Sequence, residues 1–226
     1  MSGPEQSRER PTLLERAWEE REEVVYLRLF GPLERSIFLL DTHLFQEAFN
    51  QTEIDPRWLH IGVMIAAPTA VRSSWLYVSS GLSNPWESEV PTKYSGFGCE
   101  LLLEAPSRAD WAIRRLRQMV AYELLLAAGR YPERERLGYY DRVPLQSPIT
   151  FSGESQLRNL MATPTSEPAG YFDLESGRAE LLTLVGITDD EVEHARAHGG
   201  EALVRQLRER GAFPVTDPER RSVLAH

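Results

Sequence analysis

Cysteine is nearly absent from this chain: one thiol, Cys99, serves 226 residues. A lone thiol cannot close an internal disulfide, which fits a reducing compartment. Set in an apolar run, Cys99 reads as a small buried hydrophobe rather than a reactive group. Long apolar stretches are missing as well. None approaches the ~20 residues that span a bilayer. The opening Met1-Ser-Gly-Pro-Glu-Gln-Ser-Arg-Glu-Arg10 lacks the basic-then-apolar layout of a secretory leader. The expectation is a soluble, cytoplasmic protein with no membrane contact. There is no basic excess either. The 25 Lys and Arg face 34 Asp and Glu, a formal charge of −9, which argues against nucleic acid as a partner. Neither Gly-x-Gly-x-x-Gly nor Gly-x-x-x-x-Gly-Lys occurs, so no nucleotide cofactor is expected.

The chain does have enough apolar residues for a core, 42% of the total. At this length it buries roughly 70% of its unfolded surface and needs no disulfide or metal staple. The sequence divides into a flexible start over 1–11, a single domain over 12–211 and a tail over 212–226. Acidity is uneven: from Glu167 to Glu201 nine carboxylates face two arginines. Such a face would speed encounter with a basic partner, or simply keep the protein soluble.

The most informative segment runs from a strand into a rigid turn, Trp75-Leu-Tyr-Val-Ser-Ser-Gly-Leu-Ser-Asn-Pro-Trp86. Residues 75–80 suit a pleated surface. Gly81 and Pro85 stop the ladder, and Trp86 lands beyond that stop. Cys99–Glu104 and Leu59–Ala66 read as neighbouring strands, as do Val24–Phe30, closed by Gly31-Pro32, and the short Ser36–Leu40. Thr12–Glu22 reads as a helix with Leu13, Leu14 and Trp18 on its apolar stripe, and Asp41–Phe49 as a short one. Ser107-Arg-Ala-Asp110 opens the clearest helix, with Ser107 as cap, Ile113, Leu116, Val120, Leu124 and Ala127 at helical spacing and Gly129 as its stop. That helix is placed across one face of the sheet. Tyr131–Gly170, with five prolines, reads as irregular. Extended structure returns at Gly170–Phe172 and Glu180–Gly186. Thr188 and Glu191 form a capping box for an acidic helix that Gly199-Gly200 stops. Another follows over Glu201–Arg210, and the rest reads as an appendage.

Candidate chemistry is sparse. His194 and His198 have the spacing of two metal ligands, but Ala-Arg-Ala lies between them and no third ligand is near. Closing the last turn of a helix, where a cation suits the dipole, explains them better. Ser79, Ser80 and Ser83 beside Gly81 do not form Gly-x-Ser-x-Gly, and turn hydroxyls commonly bond local backbone. Asp189-Asp190-Glu191 lacks the Asp-x-Asp-x-Asp-Gly pattern of a calcium loop and fits first-turn acids. No metal or other cofactor is expected. Trp86 and Tyr94 suit a binding patch, or else fold back over the domain's own core. Glu87 and Glu89 on the same loop, and Asp189 and Asp190 on the acidic helix, would complement a basic partner.

The ordered pieces resemble the suppressor of fused domain family. The matching segments are Tyr77-Val-Ser-Ser-Gly-Leu-Ser83, Glu100-Leu-Leu-Leu103, Trp111 with Leu116 and Tyr122, Gly138–Leu145, Ser155–Leu160, and Leu184-Val-Gly-Ile-Thr188. The resemblance covers roughly Trp58 to Arg210. The resemblance implies an α/β (α+β) fold, a mixed β-sheet packed by helices like the family's amino-terminal domain. It also implies a protein that holds other proteins and catalyses nothing. Animal members grip a peptide between two lobes, of which this chain resembles one. Bacterial single-domain members resemble immunity proteins that neutralise a toxin. The expectation is therefore an immunity protein covering a basic toxin, with peptide capture by strand addition as the alternative.

Overall fold

The computed structural model describes residues 10–165 and 170–224. Most of the expected flexible start, and Glu167 and Pro168 of the stretches considered above, lie outside the described residues.

From Leu13 to Phe30 the chain is helical. A capping box opens α1 (Leu13–Glu19): the Glu15 N–H donates to Thr12 Oγ1 at 3.2 Å and the Thr12 N–H donates to Glu15 Oε2 at 2.7 Å. A π-helical stretch, Glu20–Val25, leads into α2 (Tyr26–Phe30), which Gly31 ends at φ +83°. The strand expected over Val24–Phe30 is therefore a helix. Its β-branched and aromatic content suggested a pleated surface, but the spacing of its buried side chains decides the matter. The Tyr26 N–H bonds the Arg21 carbonyl five residues back, so Ala17, Arg21, Tyr26 and Phe30 share one buried side. Trp18, expected on the apolar stripe, is 48% exposed.

Next come β1 (Phe38–Leu39), α3 (Thr42–Phe49), a 3₁₀ turn (Pro56–His60), β2 (Gly62–Ala66), β3 (Trp75–Ser80), β4 (Tyr94–Ala105) and α4 (Asp110–Ala127). The chain ends with β5 (Arg142–Pro144), β6 (Asn159–Pro164), β7 (Tyr171–Leu174), β8 (Gly177–Ile187), α5 (Asp189–His198) and α6 (Gly200–Glu209). The strands form one mixed sheet in the order β1-β2-β3-β4-β8-β6-β5, with β7 hairpinned onto the start of β8. Among the described strands only β4 and β8 run parallel. β5 and β6 fall inside the stretch expected to be irregular. Prolines 144 and 164 each occupy a strand's last position, where a missing donor is tolerated. In the sequence the same residues read as loop punctuation.

Both faces of the sheet are covered, so the central strands are apolar on both sides. Val63, Ile65, Tyr77, Leu101, Leu103, Leu182 and Leu184 pack with α4 and α3. Their alternates divide between two clusters. Met64, Ala66, Leu76, Val78, Leu102 and Leu181 lie with α2, whereas Met161, Val185 and Ile187 lie with α5 and α6. Helix α4 starts without the expected Ser107 cap. Ala109 holds the cap position, and its N–H donates to the Tyr77 hydroxyl at 2.7 Å. Gly129 does stop it, at φ +68°, with the Arg130 N–H bonding the Leu125 carbonyl.

The segment read as an appendage is packed against this body. Val215 bridges Glu104 in parallel, and the Thr216 N–H donates to the Glu104 carbonyl at 2.8 Å. Thr216 Oγ1 accepts the Gly186 N–H at 2.9 Å. The segment thus fills the gap where β4 and β8 part. Its polar sequence gave no hint of this.

Candidate functional site

The serine-rich turn after β3 is built around a buried carboxylate. Glu100 of β4 is fully buried. Its Oε1 accepts the Gly81 N–H at 3.0 Å, the Ser83 N–H at 2.9 Å and the Ser83 hydroxyl at 2.7 Å. The Ser79 hydroxyl donates to Oε2. Arg21 arrives from the helical region above, donating to Ser80 Oγ at 3.1 Å, Ser83 Oγ at 3.2 Å and Asn84 Oδ1 at 2.7 Å. Tyr26 donates to the Ser79 carbonyl at 2.6 Å. Ser79, Ser80 and Ser83 are thus buried and engaged with Arg21, Glu22 or Glu100. They hold a turn in place and are closed to solvent. Sequence reading found the turn but neither Arg21 nor Glu100. The one signal available was a lone acid at the start of an apolar strand, opposite three hydroxyls.

That turn leads through buried Pro85 to a half-buried Trp86. Gly96, at φ +55°, lies so close beneath it that an added Cβ would meet the Asn84 carbonyl oxygen at 2.4 Å. The Phe97 N–H donates to the Leu82 carbonyl at 2.8 Å, and Ser95 Oγ donates to the Ser83 carbonyl at 2.6 Å. The result is a fixed hollow of about 430 Å³ lined by Arg57, Trp58, Trp86, Glu87, Tyr94 and Phe97, among others. The Trp86 ring leans toward His60, centroids 6.4 Å apart, and its Nε1 is buried with no acceptor among the described residues. Tyr94 is 43% exposed, with Lys93 Nζ 4.9 Å from its ring centre.

Three of the residues expected to bind a partner therefore converge: Trp86, Glu87 and Tyr94 share one hollow. Glu89 is exposed on the same loop. Glu87 is not a free charge, because Arg57 forks between it and Asp55. Those hydrogen bonds hold the Asp55 carboxyl below the usual carboxylate range. Asp189 and Asp190 stand apart from the hollow's lining. Asp189 accepts from Asn159 Nδ2 at 2.8 Å, and Asp190 from Thr188 and Ser222. Their neighbour Glu191 completes the expected capping box from within the core. His194 and His198 lie ring to ring at 4.5 Å. Among the described residues no three metal-ligating side chains gather, and no helix is long and apolar enough to cross a membrane. Cys99 is buried, its thiol pushed up in pKa chiefly by that burial and then by Glu123.

The architecture is a mixed α+β sheet domain, and comparison with known proteins places it. The family model described as suppressor of fused protein (SUFU) matches residues 57–221, and the chain belongs to this family. The same fold appears in the solved structure of a Sufu–Fu complex, with TM-score 0.60, 20% identity and 92% of each chain covered. It also appears in a SUFU homologue from Neisseria gonorrhoeae, with TM-score 0.60, 18% identity, 92% of this chain and 98% of that one. Drosophila Suppressor of Fused matches at TM-score 0.52 and 25% identity over 72% of this chain, which corresponds to 42% of the fly protein. No curated protein matches the sequence.

Proposed function

We propose that this chain is a cytoplasmic protein-binding domain without catalytic activity, and that it serves as an immunity protein covering a cognate bacterial toxin. The observation that carries the reading is the Trp86 hollow: two tryptophans, a tyrosine and a phenylalanine around a preformed cavity. Aromatic anchors of this kind dominate binding energy at protein interfaces. Family membership supports the reading, since one structure with this fold is a complex of Sufu with Fu. The match along nearly all of the Neisseria homologue supports the bacterial, single-domain form.

Peptide capture by strand addition ranks second. The sheet ends in strands of two and three residues, and Pro144 removes a donor from one of them.

Co-expression with the protein encoded next to it tests the proposal. The chain should relieve that neighbour's toxicity and bind it directly. Trp86→Ala should speed dissociation, Glu89→Gln should slow association at low salt, and both should weaken protection. A neighbour that is harmless, or whose binding ignores both substitutions, would overturn it. Turnover of a substrate by the purified chain would overturn it as well.

A further inference from the structure

A second hollow lies on the α4 side of the sheet and shares no lining residue with the first. It encloses about 430 Å³ between Phe49, Met119 and Tyr122 on one side and Val143–Ser147 on the other. Phe49 and Tyr122 stack with centroids 6.2 Å and planes 13° apart, and Tyr131 packs on Tyr122 at 5.8 Å. Past Tyr122, Arg134, Val143 and Pro144 the hollow continues into a lobe of about 380 Å³ that adds Arg142 and Arg196.

The wall opposite α4 is preformed. Arg115, 2% exposed, donates to the Ile149 carbonyl at 2.9 Å, Ser147 Oγ at 2.7 Å and the Pro148 carbonyl at 2.6 Å. It also lies 3.6 Å from the Phe151 ring centre. Gln146 at φ +57° and Phe151 at φ +70°, both in this loop, adopt a left-handed backbone that side chains larger than glycine resist. Such strain persists where the surroundings fix it, and it gathers at binding sites.

The charge of this hollow is opposite to that of the protein as a whole. Four arginines and two carboxylates line its two lobes. Arg115 is fully engaged and Arg196 pairs with Glu193. Of the carboxylates, Asp141 already accepts the Gly138 N–H at 2.8 Å. Among the described residues the Arg134 guanidinium donates to the Tyr122 hydroxyl alone, at 3.0 Å. The Arg142 guanidinium has no hydrogen-bond or ion-pair partner among the described residues. Two guanidiniums with donors to spare, beside a wall of aromatic rings, match a ligand that is both anionic and aromatic.

We propose that this hollow is a second docking site, taking an acidic segment of a partner protein that carries an aromatic side chain. The ring enters between Tyr122 and Val143, and flanking carboxylates pair with Arg134 and Arg142. This site is independent of the Trp86 hollow and of the immunity reading.

The test is amide NMR of the full chain titrated with acetyl-Glu-Phe-Glu-amide. Saturable shifts should centre on Tyr122, Tyr131, Val143 and Gln146. Acetyl-Gln-Phe-Gln-amide and acetyl-Glu-Ala-Glu-amide should each bind several-fold more weakly. Replacing both guanidiniums, Arg134→Gln with Arg142→Gln, should cost about tenfold, the scale of two partly exposed charge-assisted contacts. Trp86→Ala should change nothing. Three results would each overturn the proposal: no saturable shift up to the peptide's solubility, shifts centred elsewhere, or equal affinity for the glutamine peptide or the double variant.

Discussion

Arg21 and Glu100 face each other in the interior, Nε to Oε1 4.0 Å, with side chains 1% and 0% exposed. Ser83 Oγ stands between them, accepting from the guanidinium and donating to the carboxylate. Each charge is tolerable in the core only while the other, and the hydroxyls around both, remain. Glu100→Gln should therefore lower stability by about 3–5 kcal/mol, as removal of one partner of a buried pair does. Replacing both, with Arg21→Met and Glu100→Leu, should recover only part of this. The Gly81 and Ser83 N–H groups would then lack an acceptor, at about 1–3 kcal/mol each. Urea unfolding of the parent and the two variants measures this directly. A Glu100→Gln cost below about 1 kcal/mol would mean the carboxylate is better solvated than its burial implies.

The carboxyl-terminal segment is expected to contribute to stability through Glu191. Arg220 forks onto that buried carboxylate with both bonds at 2.7 Å, and the Val223 N–H adds a third at 2.8 Å. Arg220→Ala leaves Glu191 uncompensated and should cost about 3 kcal/mol. Hydrogen exchange should show the Gly186, Thr188 and Val192 amides losing protection together, since the same segment and cap hold all three. If those amides keep their wild-type rates, the segment is not a structural strap.

Much of this fold was legible because it follows short-range rules. Leu59–Ala66, Trp75–Ser80 and Cys99–Glu104 carry apolar runs that only a sheet covered on both faces can bury; they lie in β2, β3 and β4, except that Leu59–Ile61 close and cap the 3₁₀ turn before β2. The Thr188–Glu191 capping box and the Gly129 stop are local hydrogen-bond devices with a fixed spacing. What failed depended on distant partners. The Val24–Phe30 composition suits a strand, but a one-residue π insertion aims Arg21 and Tyr26 at a turn some 60 residues away. β6 gains its place from β8 rather than from its own pattern. At the site, Trp86, Glu87 and Tyr94 were recognisable as binding chemistry close together in the sequence. Arg57, which balances Glu87, comes from a separate 3₁₀ turn and carries no sequence signal of that role.

Glu123 on α4 gives the protein a titration of unusual sign. It is fully buried, accepting from Arg136 Nε at 2.6 Å and the Leu137 N–H at 2.9 Å. Burial raises its pKa above the ordinary carboxylate value, outweighing Arg136 and the hydrogen bonds that pull it down. The folded protein thus holds this proton more tightly than the unfolded chain. The resulting stability is fully present below the unfolded carboxylate pKa and is lost as pH rises through the folded value. Glu123→Gln removes the titration and leaves an acceptor for Leu137. Its urea midpoint should exceed that of the parent at about pH 8, and the gap should close toward about pH 4, near the unfolded value. Glu104, also raised chiefly by burial, adds a slope of the same sign to both proteins and cancels in the difference. A gap that does not change with pH would show that Arg136 compensates the charge in full.

Gly96 and Gly129 separate the backbone requirement of the Trp86 hollow from its crowding. Both have positive φ, +55° and +68°. A Cβ on Gly129 meets nothing within 4 Å, whereas one on Gly96 meets the Asn84 and Leu82 carbonyl oxygens at 2.4 and 2.6 Å. These are main-chain atoms and cannot swing aside as a flexible side chain would. Gly129→Ala should cost about 1 kcal/mol, the penalty of a left-handed alanine. Gly96→Ala should cost clearly more, because the Leu82–Asn84 turn must move and would loosen the Ser83 bonds to Glu100. It should also shift the tryptophan emission and weaken whatever partner docks at Trp86, while Gly129→Ala does neither. Equal losses from the two substitutions would mean that the turn yields freely, and that the hollow around Trp86 is shaped by something other than the close approach of Gly96.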